Sequence, residues 1–391
     1  VDKVRFRFGM PEKIGGWQKF TPASYLGTAR AMHPWVGLDN SRLIGIGTSL
    51  KYYINQDSGL FNDVTPLRIT TAAGDVTFAA TNGSSVITVT DANHGAVVND
   101  FVTFSGAASL GGNITAAVLN QEYNITEIIN ANSYKISARA AGTTISSITV
   151  NGALVPSLIN ASGSDSGNGG SSTVGAYQVG VGLDTTATGA GWGVGTWGRN
   201  GWGEAATTPI VTNTLRIWSH DNFGEDLLIN VRNGGIYYWD KTSGLSARAV
   251  SLDSLAGSTT APTIAKQIMV SDRDRHIIAF GCDSELNPGV QDPLLIRFSS
   301  QESLTDWATR PDNTAGELKI GSGSEIVAAV ETRQQILVYT DESLYAMQFL
   351  GPPFTFGVNL VSENTTIMGP LSAVAVEDNV FWMGLKEFYS Y

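Results

Sequence analysis

Five times along the chain an apolar run reaches a short polar or glycine-containing turn and returns as a run carrying tyrosine, phenylalanine or tryptophan. The segments are LIGIGTSLKYYI (43–54), LLINVRNGGIYYWD (227–240), IIAFGCDSELNPGVQDPLLIRF (277–298), ILVYTDESLYAM (336–347) and VFWMGLKEFYSY (380–391). Alternating apolar positions bounded by turn residues have the period of two that a half-buried strand requires, so each segment predicts a β-hairpin. In the second, Asn233, Gly234 and Gly235 supply the positive φ of a tight hairpin loop. The last four hairpins recur at roughly 45 to 60 residues, a period that points to propeller blades rather than solenoid coils. The expected fold is all-β, a β-propeller.

The first and second hairpins lie much farther apart, which predicts an insertion. Residues 76–150 are rich in Thr, Ser, Val, Ile and Asn, lack tryptophan, and contain short alternating runs: SSVITVTD (84–91), DFVTFSG (100–106), EYNITEI (122–128) and SYKISAR (133–139). A small β-barrel or sandwich follows, with Gly106, Gly111, Gly112 and the stretch 130–132 at its turns. SGSDSGNGGSS (162–172) reads as a flexible Gly/Ser tether, open to protease, at the exit of the insertion. The expected organisation is 1–66 as the first part of the propeller, 67–189 as the inserted domain with its tether, and 190–391 as the propeller continued. Val1 in place of a methionine, and a strand-like run ending at Tyr391, predict that both ends continue in the natural product and that the final blade is truncated.

Composition narrows the function. The chain of 391 residues is 42% hydrophobic and 15% charged, with 44 glycines, as in a turn-rich β protein. Its net charge of −11 argues against a broad phosphate-neutralising surface. The N-terminal 19 residues invert that balance, with Lys3, Arg5, Arg7, Lys13 and Lys19 against Asp2 and Glu12, which suggests a solvated face or a basic intersubunit partner-contact segment rather than a DNA contact. Cys282, the only cysteine, excludes an intrachain disulfide and reads as a small buried hydrophobe. No apolar run is long enough to predict a membrane span, and no secretion signal is evident.

Candidate chemistry is thin. Gly193, Gly195 and Gly198 match the dinucleotide fingerprint in letters, but no buried strand precedes them and 199–201 would break the helix that must receive a pyrophosphate. His33, His94, His220 and His276 are scattered without metal-ligand spacing. Asp272 and Asp274 in SDRDRH suit a solvated ion-paired turn better than an acid/base pair. Tyr237, Tyr238, Trp239, Tyr345, Trp382, Phe388 and Tyr389 suit blade packing better than a sugar-stacking platform. No catalytic, cofactor or metal residues are assigned. Trp192, Trp197 and Trp202 recur every five residues among glycines, a spacing that fits neither strand nor helix and predicts an ordered loop that closes onto the propeller face or packs against a neighbouring subunit, with intersubunit contact as the expectation.

VRFRFGMPEKIGGWQKF (4–20) resembles the opening of a group of tail proteins of short-tailed, podovirus-like bacteriophages, through Gly9, Pro11, Glu12, Lys13, Gly15, Gly16 and Trp17. WSHDNFGEDLLINVRNGGIYYWD (218–240) resembles the same group, and TDANHGAVVNDFVTFSGA (90–107) is similar to a small β-module common in phage tail proteins, with its turn at His94 and Gly95. The resemblance implies a tail nozzle or hub: a virion structural protein, not an enzyme, forming a homo-oligomeric ring, by resemblance a hexamer. It also implies contact with a tail adaptor and other tail components, assembly in the host cytoplasm, and genome DNA passing through without tight binding. A cell-surface glycan-binding propeller module is the alternative, and a propeller hydrolase a third reading that would need converging carboxylates.

Overall fold

The computed structural model describes residues 4–13, 19–142, 158–180, 182, 215–258, 260–352, 354–376 and 378–391. The fold is all-β, built of small antiparallel sheets with one helical turn, Ala116–Leu119, and two 3-10 turns among the described residues. Each of the five hairpins forms; the first four are the middle strands of four-stranded meanders, and the fifth makes the last two strands of a three-stranded one. The first sheet comprises Ala29–Val36, Arg42–Thr48, Tyr52–Gln56 and Phe61–Asp63; the second, Trp218–Phe223, Asp226–Val231, Ile236–Trp239 and Val250–Ser251. The third is Gln267–Val270, Ile277–Phe280, Leu295–Phe298 and Gly316–Lys319, and the fourth Ile326–Glu331, Ile336–Thr340, Ser343–Gly351 and Thr355–Glu363. The fifth has three strands, Ala373–Val376, Asn379–Met383 and Phe388–Ser390.

These sheets stack in chain order because the second strand of each inner sheet is apolar on both faces. Leu227 and Ile229 pack toward Leu43, Tyr52 and Ile54 of the first sheet, whereas Leu228 between them packs toward Ile268 and Ile277 of the third. Ile278 and Phe280 meet Ile336 and Val338 of the fourth sheet, and Leu337 and Tyr339 turn to Val380 and Trp382 of the fifth. A side-chain period of two thus distributes one continuous apolar run between two cores. Trp218 sits against Gly47, where a Cβ would come 2.4 Å from its ring, so only glycine admits the indole there.

The insertion has its own core. One sheet orders Glu122–Asn124, Phe101–Ser105, Val174–Gln178 and Leu67–Thr70; the other orders Glu127–Asn130, Ser133–Ser137, Val86–Thr90 and Thr77–Ala80. Phe104, Tyr123 and Tyr177 of the first meet Phe78, Val89 and Tyr134 of the second, in a cluster drawn wholly from this segment. The run EYNITEI, read as one strand, is split between the two sheets, because buried Ile125 turns the corner into the core. Entry and exit of the insertion meet where Val179 N–H donates to Pro66 C=O at 3.0 Å.

The Gly/Ser stretch is not the flexible tether its composition suggests. Asp165 is buried and accepts backbone N–H groups of Gly112, Asn113, Ile114 and Ser162 at 2.8, 3.0, 2.9 and 2.7 Å. Gly167 N–H donates to Leu110 C=O at 2.7 Å, an approach a Cβ would obstruct. Composition missed the outcome because one carboxylate gathers the turn's orphan donors and orders the glycines around it.

Candidate functional site

The first strands of the first three sheets carry polar side chains that face their neighbours. Neighbouring first strands lie side by side from the first to the second to the third sheet, and again from the fourth to the fifth. Side chains stitch them in place of a backbone ladder. His33 Nε2 lies 2.6 Å from Asn222 Oδ1, Ser219 Oγ and Asp221 Oδ2 accept the N–H groups of Ile268 and Val270 at 3.0 and 2.8 Å, and Gln267 exchanges hydrogen bonds with both backbone groups of Ala329 at 2.7 and 2.9 Å. Beside this row a cleft of about 340 Å³ is lined by Arg30, Met32, His220, Asp221, Arg232 and Lys266, with Leu371 from the approach to the fifth sheet.

His220 is held neutral: burial, with repulsion from His33, pushes its pKa down to about 3, and Tyr52 OH lies 2.7 Å from its Nδ1. Glu331, which the sequence did not single out, has its carboxyl pushed up to about 7 by burial, despite the Asp272 N–H it accepts at 3.0 Å, with Asp272, Asp221 and Asp274 adding repulsion. The group therefore exchanges a proton near neutrality at the junction of the third and fourth sheets. Its signal was one acidic residue at the end of an apolar strand, which pattern alone does not distinguish from a solvated terminus.

Of the residues weighed for chemistry, Asp272 and Asp274 are brought near Glu331 and His33 near His220, while His94 and His276 stand apart. Asp274 faces Arg273 at 4.0 Å, Arg275 reaches Glu302 at 3.4 Å, and Asp272 meets Glu331 through its backbone. His94 bridges Asn130 C=O and Ala96 N–H inside the insertion, and His276 is buried against Ser299 C=O. Among the described residues no group of three or more His, Cys, Asp or Glu is placed to hold a metal ion. Cys282 is buried and burial pushes its thiol pKa up, which suppresses the reactive thiolate. Tyr237, Trp239, Tyr345 and Trp382 are core residues; Phe388, expected with them, is 84% exposed. Trp192, Trp197, Trp202 and the dinucleotide-like glycines lie outside the described residues, as does Lys3.

An ion cluster joins the insertion to the first sheet. Lys51, 2% exposed, places Nζ 2.6 Å from both Asp63 Oδ2 and Glu122 Oε1, and lies over the Phe101 ring. Arg248 closes the cluster at 3.3 Å from Asp63 and 3.7 Å from Glu122. Burial opposes ionisation of Asp63, but Lys51 and Arg248 outweigh it and hold its carboxyl below the ordinary value.

Two apolar surfaces remain open. Among the described residues the hairpin of Val4–Arg7 and Met10–Lys13 pairs only with itself and exposes Phe6, Phe8 and Met10, while Arg5 meets Glu12 at 3.1 Å; Arg7 and Lys13 are exposed on the same hairpin. The fifth sheet turns Val374, Val376, Phe381, Met383 and Phe388 to solvent, on the face opposite its contact with the fourth.

No family model matches the chain, and no curated protein does. Among solved structures it is similar to the endosialidase of phage phi92, at 11% identity and TM-score 0.25, over 95% of this chain and 55% of that one. It is also similar to PorZ, a bacterial surface component of the type-IX secretion system of Porphyromonas gingivalis, at 10% identity and TM-score 0.30, over 99% and 43% of the two chains. The chain thus spans about half the length of these proteins. No helix among the described residues is long and apolar enough to cross a membrane.

Proposed function

We propose that the chain is a non-enzymatic structural subunit of a bacteriophage tail, a propeller-like stack of blades carrying an inserted β-module, that assembles with copies of itself into the nozzle or hub ring. The observation that carries this reading is the pair of motifs, 4–20 and 218–240, that resemble the short-tailed phage group. Five meander sheets stacked in chain order suit it, since stacked sheets make a stiff wedge, and the exposed apolar surfaces at the N-terminal hairpin and fifth sheet suit a subunit that buries them on assembly. The net charge of −11 suits a conduit past which DNA slides without condensing. Burial of Tyr237, Trp239, Tyr345 and Trp382 weighs against the sugar-platform alternative.

Cryo-electron microscopy of the intact particle tests this. The expected result is a ring of this chain in the tail below the portal and adaptor; absence of the chain from purified particles would overturn the reading.

A further inference from the structure

The first strands of the second, third and fourth sheets run in one direction. Ser219 and Asp221 meet Ile268 and Val270 in that order, and Gln267 and Asp272 meet Ala329 and Glu331 in that order. Strands that run together gather their starts at one end of the row and their finishes at the other. Asp221, Asp272, Asp274 and Glu331 lie toward the finishing end, where the three aspartates repel Glu331. Cations stand at the starting end, beside the cleft of about 340 Å³. Arg232 N–H donates to Ile217 C=O at 3.0 Å, and the pairing of Ser219 with Ile268 sets Lys266 at the level of Ile217 as well. Arg30 reaches the same cleft from a bulge in the first strand of the first sheet, where the register skips from Ala29 to Ala31.

Lys266 and Arg232 differ in the partners the chain gives them. Lys266, 7% exposed, has its ammonium paired with Glu325. Arg232 donates one side-chain N–H, from Nη1 to Val327 C=O at 3.0 Å, and among the described residues no carboxylate lies within ion-pair distance of it. Burial pulls its pKa below the ordinary value, with Glu325 opposing from farther away. A half-buried guanidinium with five N–H donors and one neutral acceptor has room for an anion. Asp221 also lines the cleft, but its oxygens accept the N–H groups of Val270 and Asn222 at 2.8 and 2.9 Å, and it sits four residues along the strand, about 13 Å from the level of Ile217. His220, held neutral, adds no charge. Met32 and Leu371, each 68% exposed, supply apolar walls.

We propose that this cleft binds a small organic monocarboxylate, its oxygens on the Arg232 guanidinium and the Lys266 ammonium and its apolar body against Met32 and Leu371. The guanidinium fork matches a carboxylate with two parallel N–H···O bonds, which are stronger in a half-buried site than in water. A monoanion suits the pair, since Glu325 already neutralises Lys266 and leaves the single charge of Arg232 for a ligand. The volume falls at the lower end of the range for small-molecule sites, roughly 300–1,000 Å³. Every group named belongs to one chain, so the site holds whether or not the chain assembles into a ring.

Thermal melts of the chain titrated with sodium benzoate at constant ionic strength test it, beside sodium acetate, inorganic phosphate and neutral benzamide. Benzoate should raise the melting temperature saturably, because a ligand that binds the folded chain stabilises it. Acetate and phosphate, which lack the apolar body, and benzamide, which lacks the charge, should need about tenfold more or have no effect. Arg232→Gln should weaken the benzoate response about tenfold or more, and so should Leu371→Trp, which narrows the mouth of the cleft. Leu371→Trp changes an exposed side chain and should keep the unliganded melting temperature, so it decides the question even if Arg232→Gln fails to fold. No saturable benzoate shift, or an undiminished one in Leu371→Trp, overturns the site. A response to acetate, phosphate or benzamide equal to that of benzoate overturns the assigned ligand class.

Discussion

The indole N–H of Trp218 donates to the backbone carbonyl of Thr48 at 2.7 Å, across 170 residues of chain. This bond closes the first sheet onto the second over the whole insertion, and the ring lies edge-on to Tyr52 at 5.2 Å. Trp218→Ala should cost about 3–5 kcal/mol, the range for removing a buried large aromatic side chain. Gly47→Ala, which drives a methyl into the same ring, should cost about 1–3 kcal/mol by overpacking. Urea titrations check both, with the midpoint falling in each variant.

Removing Lys51 should destabilise the junction more than any exposed ion pair would. Lys51→Met leaves Asp63 and Glu122 with Arg248 alone in a buried setting, at an expected cost of about 3–5 kcal/mol. The folded-state pKa of Asp63 lies below its ordinary 3.8, so its contribution is present above that value and is lost as pH falls through the folded pKa. Acid titrations of stability should therefore be steeper below about pH 4 in the native protein than in Lys51→Met.

His220 and Glu331 should give pH dependences of opposite sign. The folded pKa of His220, about 3, lies below its ordinary 6.5, so the unfolded chain binds the extra proton and stability falls as pH drops from 6.5 toward 3. The folded pKa of Glu331, about 7, lies above its ordinary 4.5, so its contribution is present below 4.5 and is lost as pH rises through 7. His220→Gln should flatten the acid limb and Glu331→Gln the neutral one, each seen in melting temperature against pH. An unchanged profile in either variant would refute that assignment.

The Gly/Ser stretch should resist protease in the native protein. Asp165→Ala leaves up to four backbone N–H groups without their acceptor, at an expected cost of about 1–3 kcal/mol for each that stays buried. Limited proteolysis should cut within 162–172 in that variant before it cuts there in the native chain.

Replacing 67–178 by a two-residue Gly-Ser link should leave the stacked sheets folded, because the insertion's core is self-contained and Pro66 already touches Val179. Lys51 keeps Asp63 as its partner when the excision removes Glu122. A single cooperative unfolding transition of the shortened chain is expected; loss of cooperativity would show that the two cores are one.

Mobility shifts at about physiological salt should show no tight duplex binding, because an acidic chain has little phosphate-neutralising surface. Submicromolar affinity abolished by changing Arg5 and Arg7 to Ala would make the N-terminal hairpin a DNA-binding arm instead.

Pattern alone marked the second and third strands of the stacked sheets, because an apolar run that meets turn residues and returns as a second apolar run predicts a hairpin. Leu227–Leu228–Ile229 and Ile336–Leu337–Val338 could hardly be anything else. The first and fourth strands were decided only in three dimensions. WSHDNF at 218–223 has no apolar alternation, since its polar side chains bond across to neighbouring first strands, and the short fourth strands Phe61–Asp63 and Val250–Ser251 lack enough apolar surface to show a period. Composition likewise could not show that Asp165 orders its glycines, that Lys51 is buried among carboxylates, or that Glu331 holds a proton near neutrality. Each depends on which distant groups arrive beside it, and a local pattern carries the period of a strand but not the identity of the charge that will face it.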